Sequence, residues 1–118
     1  MTINEREEHI EELFMECQGV LRAKGQAYSG NAEANSNLER SAKDADLSKY
    51  QILHVFLNKH LACIRNAIRE NPHAPVDDTE GLRGRIIDTI NYLAILSSML
   101  KEDELRAMKE PFKATFKA

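Results

Sequence analysis

The sequence predicts an all-α fold, a small bundle of three to five helices. In three long segments the apolar residues recur at steps of three and four, which is the spacing of one face of an α-helix. No segment alternates apolar and polar residues with the period of two that is typical of a strand. Two serines, Ser36 and Ser48, have Glu39 and Gln51 three residues later, which is the spacing of a capping box at a helix start. Together these patterns favour helix packed on helix.

The first half of the chain is expected to hold one long helix and one short one. An apolar stripe predicts a helix from about Asn4 to Lys24, which Gly25 should end. Residues 25–35 are rich in Gly, Asn and Ser and are predicted to form a loop. The capping-box spacing at Ser36 predicts a short helix over 37–44.

The second half is expected to hold two long helices. One begins after Ser48 and runs to about Glu70, where Asn71-Pro72 stops it. The other starts near Asp78 or Thr79 and runs past Leu100. Residues 101–110 either extend it or form a further helix. We expect a single helical domain over 1–110, followed by a tail over 111–118.

Composition narrows the function classes. The net charge is -3, so no general electrostatic attraction to nucleic acid or to an anionic membrane is expected. No apolar run reaches the roughly 18 residues of a membrane span, and the acidic opening lacks the apolar core of a secretory peptide. Cys17 and Cys63 have no metal-binding spacing. We therefore expect a cytoplasmic protein with no nucleic-acid partner and no membrane partner.

The last long helix carries apolar residues on one side and a polar stripe on the other. At about 100° per residue one face collects Leu82, Ile86, Ile90, Leu93 and Leu100, and we expect it to be a core face. The nearly opposite face collects Arg85, Asp88, Asn91 and Tyr92, followed by Ile95 and Met99. Because Ile, Met and Tyr rarely share a solvent face with a carboxylate, this second face should also be covered, by another helix or by a second subunit. We expect a homo-oligomer whose contact lies on the Ile95 and Met99 side.

The polar stripe has two interpretations. In the first, Arg85 and Asp88 form a structural pair at i, i+3, and Asn91 and Tyr92 complete a hydrogen-bonded network. In the second, the stripe is a site in which Asp88 binds a cation or a ligand donor, Asn91 contacts an amide edge and Tyr92 stacks on a ring. The residues alone leave both open.

The segment E…RIIDTINYLAIL over 80–96 resembles the last core helix of small helical phage-encoded families related to MazG-like, all-α nucleotide pyrophosphohydrolases. Three other pieces resemble the same proteins in the same order, namely Lys24 with Tyr28, Asn37-Leu38 with Arg40, and Lys59-His60. The resemblance implies a bacteriophage protein in the host cytosol that handles a nucleotide. It also implies a Mg²⁺ cofactor if the protein is an enzyme.

This chain departs from the pattern by losing carboxylates. Gly84 stands where relatives carry an acid one turn before Asp88, and Ala27 stands where they carry one before Tyr28. Since Mg²⁺-dependent pyrophosphate cleavage needs several carboxylates, we expect binding without turnover, as in an anti-defence protein that sequesters a nucleotide-derived signal. One alternative is a Mg²⁺-dependent nucleoside triphosphate pyrophosphohydrolase. Another is a structural or interaction bundle without a ligand.

Further side chains are candidates for the nucleotide site. Arg83 and Arg85, near the positive start of the last helix, suit an anion. Lys59 either meets a phosphate or extends to solvent, and Tyr28 either stacks on a base or covers the core. Should a metal bind, Glu7, Glu11 and Asp88 are the expected ligands; otherwise Glu7 and Glu11 belong to a solvated acidic first turn.

Overall fold

Four α-helices make up the part of the chain that the structure, a computed structural model, describes, which is residues 1–29, 34–77, 79 and 81–109. They are α1 (Ile3–Ser29), α2 (Ser36–Ala45), α3 (Lys49–Glu70) and α4 (Leu82–Lys109). Within these residues no strand occurs, which confirms the predicted all-α class. None of the helices found there is long and apolar enough to cross a lipid bilayer.

Two helix boundaries differ from those expected. Helix α1 continues through Gly25 to Ser29, so Gly25 does not end it and residues 25–29 of the expected loop are helical. Residues 30–33 of that loop lie outside the described residues. Helix α4 begins at Leu82, later than expected, and the Gly81 amide just before it donates to the Asp77 carbonyl at 3.0 Å. Gly81 has φ 81°, a conformation that favours glycine. Helix α4 then continues unbroken to Lys109, and the tail expected over 111–118 lies outside the described residues.

Only one of the two expected capping boxes forms. The Ser48 side chain accepts from the Gln51 amide, and the Gln51 side chain accepts from the Ser48 amide, so α3 has a complete box. The capping box predicted at Ser36 does not form. Helix α2 begins at Ser36 itself, so its N-cap residue is Asn35, and no side chain caps the helix. The Ser36 hydroxyl is buried and has no hydrogen-bond partner among the described residues.

Helices α3 and α4 run antiparallel, because Lys49 at the start of α3 contacts Asp103 near the end of α4 and His60 contacts Arg85 near its start. Helix α2 packs mainly on α3, and α1 packs mainly on α4. The apolar core lies where α2 meets this pair, and its buried members are Leu38, Ala42, Ile52, Leu53 and Met99. At the same end of the pair, Asp103 on α4 accepts from Lys49 Nζ at 2.6 Å and from the Tyr50 hydroxyl. That hydrogen bond raises the pKa of Tyr50 to about 12, since it favours the protonated phenol.

The side of α4 that faces the other helices is the polar one, so the second face is covered by other helices, the first of the two expected alternatives. Arg85, Asn91 and Met99 are buried, whereas Leu93 and Leu100 are 50% and 57% exposed. The expected core face is therefore wrong, because α1 and α2 pack on the side that carries the hydrogen-bonding groups. Met99 is fully buried within one chain, so the Ile95 and Met99 side is not available as a subunit contact.

The two serines give a matched test of the helix starts. We expect Ser48→Ala to destabilise the protein by about 1 kcal/mol, because α3 loses its cap. Ser36→Ala should change stability little or increase it, because it removes a buried hydroxyl that has no partner among the described residues. Chemical denaturation of both variants measures this. A larger loss from Ser36→Ala than from Ser48→Ala would contradict the assignment of the caps.

Candidate functional site

A cavity of about 670 Å³ lies between the last turns of α1, the start of α2 and the middle of α4. Its walls combine apolar, amide, hydroxyl and charged side chains, among them Leu21, Arg22, Lys24, Asn35, Asn37, Leu38, Phe56, Asp88, Asn91, Tyr92, Ile95 and Ser98. A mostly apolar cavity of this volume with a few polar groups is typical of a small-molecule site. The cavity is the candidate site.

Asp88 lies between α1 and α3 at the wall of this cavity. Its Oδ1 atom accepts a hydrogen bond from Lys24 Nζ at 2.8 Å, and its Oδ2 atom lies 3.7 Å from His60 Nε2. The Asp88 side chain is mostly buried, whereas that of Lys24 is about half exposed. The pair therefore fixes the end of α1 against α4 and presents charge at the cavity.

Arg85 is buried behind Asp88, one turn earlier on α4. Its guanidinium donates from Nε to Asp77 Oδ2 at 2.8 Å and from Nη2 to Thr79 Oγ1 at 3.1 Å. Its Nη1 atom lies 3.2 Å from His60 Nδ1. Because a guanidinium can only donate, His60 Nδ1 must accept, and a neutral His60 then carries its proton on Nε2, towards Asp88. We call the series Asp77, Arg85, His60, Asp88 and Lys24 the polar chain.

The turn before α4 holds the first member of the polar chain. Asp77 Oδ1 accepts from the Thr79 amide at 3.0 Å and from the Thr79 hydroxyl at 2.6 Å. These hydrogen bonds and the one from Arg85 hold the pKa of Asp77 well below its usual range. Asp77 is thus an anchor for the buried guanidinium.

Asn91 and Tyr92 complete the wall of the cavity on α4. Asn91 is buried and donates from Nδ2 to the Cys17 carbonyl at 2.9 Å, which ties α4 to the backbone of α1. The Tyr92 ring stacks on the His60 ring, with centroids 5.6 Å apart, and on the Phe56 ring at 6.1 Å. Burial raises the pKa of the Cys17 thiol, which suits a core position.

Of the residues that the sequence predicts for the site, some line the cavity and others lie away from it. Asp88, Asn91 and Tyr92 line the cavity. Arg85 serves in the polar chain, while Arg83 is largely exposed and pairs with Glu16 on α1. Lys59 is exposed on α3 and is not among the described lining residues. Tyr28 lies in the last turn of α1, and its side chain is outside the described part of the structure.

The expected metal ligands do not come together in the described structure. Glu7 and Glu11 are exposed on the first half of α1, whereas Asp88 lies in the polar chain. Across residues 1–29, 34–77, 79 and 81–109, no group of three or more His, Cys, Asp or Glu side chains is arranged to hold a metal ion. Asp88 is the sole carboxylate among the described residues that line the cavity.

Several cavity residues were missed as site residues in the sequence analysis. Lys24 and Asn37 carried part of the family resemblance without being named as ligand contacts, so a signal for them existed. Asn35, which donates to Ser98 Oγ at 3.4 Å, had no such signal, and neither did Arg22 or Phe56. These residues meet only because the extra turn of α1 and the start of α2 converge on α4.

Comparison with known proteins found no protein-family model, curated protein or solved structure that matches this chain.

The low pKa of Asp77 predicts a specific acid sensitivity. A carboxylate with a depressed pKa in the folded state stabilises that state above its unfolded pKa, near 4, and the stabilisation is lost as the pH falls below that value. We expect the free energy of unfolding to fall as the pH decreases from about 5 towards 2. In Asp77→Asn this acid-dependent loss should be smaller.

Denaturation of the two proteins at a series of pH values measures this difference. Asp44→Asn is a matched control, because Asp44 is an exposed carboxylate on α2. Equal acid dependence in wild type and Asp77→Asn would contradict the role of Asp77.

Proposed function

We propose that the protein binds a nucleotide or a nucleotide-derived small molecule in the cavity between α1, α2 and α4, without cleaving it. The observation that carries this proposal is the division of the cavity wall. Its aromatic side chains, Phe56 and Tyr92, lie on α3 and α4, and its two cationic side chains, Arg22 and Lys24, lie on α1. A nucleotide has the same division into a flat polar ring and an anionic group.

The base fits the part of the cavity near α4. Tyr92 and Phe56 supply aromatic surface, and Leu38 and Ile95 supply apolar contact. Asn35, Asn37 and Ser98 lie in the same wall and can exchange hydrogen bonds with the edges of a base. Amides discriminate well in this role because each both donates and accepts.

The phosphates fit the part of the cavity near α1. Arg22 is exposed at the cavity and can form a bidentate contact with a phosphate. Lys24 remains beside Asp88, whose carboxylate can accept from a ribose hydroxyl.

The carboxylate content of the site supports binding without turnover. Asp88 stands alone among the described lining carboxylates and is already paired with Lys24. Mg²⁺-dependent cleavage of a pyrophosphate bond needs a metal held by several carboxylates. Within the resemblance to phage-encoded MazG-like families, we therefore propose sequestration of a nucleotide signal in the host cytosol by a homo-oligomer. The Mg²⁺-dependent pyrophosphohydrolase is the second candidate.

The binding test uses a mixture of nucleoside mono-, di- and triphosphates and cyclic dinucleotides, incubated with the protein in EDTA and again in Mg²⁺. We expect one class of compound to be retained in EDTA and released unchanged on denaturation, as read by mass spectrometry. Arg22→Ala should weaken its retention about tenfold or more, because a phosphate loses its charged partner.

Lys59→Ala is the matched control, because it removes a cation that the sequence pointed to but that lies outside the described cavity wall. We expect it to bind like wild type. Recovery of a monophosphate and pyrophosphate with strict Mg²⁺ dependence would favour the pyrophosphohydrolase instead. Retention of no compound would contradict the proposed function.

A further inference from the structure

The described residues leave one buried amide oxygen at the cavity wall without a hydrogen bond. Asn35 lines the cavity and is only 5% exposed. Its Nδ2 atom donates to Ser98 Oγ at 3.4 Å, whereas its Oδ1 atom accepts from no residue in the described part of the chain. Unlike the Ser36 hydroxyl, this oxygen is not sealed in the interior. A nearly buried amide oxygen needs a donor, and here a ligand in the cavity can supply it.

The direction of the Asn35 amide is set by Ser98 on α4. The Ser98 hydroxyl donates to the Ile95 carbonyl at 2.7 Å. Because a hydroxyl has a single hydrogen, Ser98 Oγ can then only accept from Asn35. If the amide turned over, Asn35 Oδ1 would face Ser98 Oγ, and two acceptors would meet without a hydrogen between them. Ser98 therefore holds the Nδ2 end of the amide and leaves the Oδ1 end for the cavity.

A second amide lines the same cavity and is not fixed in this way. Asn37 is half-buried and makes no hydrogen bond with the described residues. Its side chain can turn, so it can donate as well as accept. The start of α2 thus offers a fixed acceptor at Asn35 and an adaptable amide at Asn37. This combination suits a ligand edge on which a donor stands next to an acceptor.

Adenine is the common base that fits this combination best. Its 6-amino group donates, and a ring nitrogen that accepts lies on each side of that group. Adenine also has no carbonyl oxygen, so none of its edges brings an oxygen against Asn35 Oδ1. Asparagine forms this kind of contact with adenine in protein–DNA complexes. The aromatic rings of Phe56 and Tyr92 in the cavity wall offer surface to the base.

We infer that the ligand is an adenine nucleotide whose 6-amino group donates to Asn35 Oδ1, and that Ser98 is a positioning residue that makes Asn35 an acceptor. This assignment of the base rests on the proposed function, because it specifies which nucleotide the cavity takes. The two can fail separately, since a nucleotide with another base would still occupy the proposed site.

The test compares three purine nucleotides that differ in the group at position 6, which is amino in adenosine, oxo in inosine and hydrogen in purine riboside. Each is titrated into the protein in EDTA as its 5′-monophosphate and its 5′-triphosphate. We expect the adenosine compound to bind about tenfold or more tightly than the other two, because without the amino group Asn35 Oδ1 has no donor. Asn35→Ala should remove this preference, and thermal unfolding checks that the variant is folded.

Ser98→Ala tests the positioning role, because it removes the hydroxyl and leaves the Asn35 side chain in place. The amide can then turn, and Nδ2 can donate to the 6-oxo group of the inosine compound. We expect the preference for adenosine over inosine to fall several-fold. Ser98→Thr keeps the hydroxyl and should keep the preference. Ser97→Ala is the matched control, because Ser97 is exposed on α4 and is not among the described lining residues.

Equal affinity for the three purine nucleotides would overturn the inference. Tighter binding of a guanine, cytosine or uracil nucleotide would overturn it as well, and in both cases the proposed nucleotide site would stand. A preference for adenosine that survives Ser98→Ala unchanged would contradict the positioning by Ser98. If no nucleotide bound at all, the proposed site and the assignment of the base would both be wrong.

Discussion

The buried charge of Arg85 is the constraint on which the arrangement of the helices depends. The residue is 5% exposed, and a guanidinium in that environment is tolerated only when it is paired and its N–H groups have acceptors. Asp77 and Thr79 supply acceptors from the turn before α4, and His60 supplies one from α3. The fold must therefore bring these three to one place. In doing so it fixes Asp77 and Thr79 beside the start of α4 and sets α3 against α4.

The same constraint builds the cavity. Since Arg85 occupies one nitrogen of His60, the other nitrogen is directed towards Asp88, and Asp88 in turn receives Lys24 from the last turns of α1. Asn91, one turn further along α4, binds the α1 backbone. The polar groups that interrupt this helix thus give α1 its place, and the space left between α1, α2 and α4 is the cavity. The apolar side of α4 is directed outwards as a consequence.

The sequence was sufficient for the helices but not for the orientation of the last one. Periodicity and the capping box at Ser48 predicted the helical class and the start of α3, because both are local signals. The outward direction of Leu93 and Leu100 was not predicted, since an apolar stripe indicates burial without stating whether the cover is the same chain or another one. The acceptors of Arg85 are local in sequence at Asp77 and Thr79, yet the contact depends on the turn at Gly81 and on His60, which is 25 residues away.

In the candidate site, too, the sequence identified some residues and missed others. Asp88, Asn91 and Tyr92 were identified because polar residues in an apolar helix are conspicuous. Arg83 was assigned to it by charge, and Lys59 by charge together with the family resemblance. Arg83 pairs with Glu16, and Lys59 is exposed outside the described cavity wall. Arg22 and Asn35 carry no pattern of their own. They reach the cavity through the position of α1, which the polar chain determines.

The unfolding temperatures of single and double substitutions at Asp77 and Arg85 test most directly whether the buried charge of Arg85 depends on its partners. Asp77→Asn leaves a buried guanidinium without its carboxylate, whereas Asp77→Asn combined with Arg85→Met removes the charge as well. We expect the double variant to unfold at a higher temperature than Asp77→Asn alone, because the uncompensated charge is gone. A double variant that is less stable than Asp77→Asn, by about the separate loss from Arg85→Met, would show two independent residues and would contradict the account.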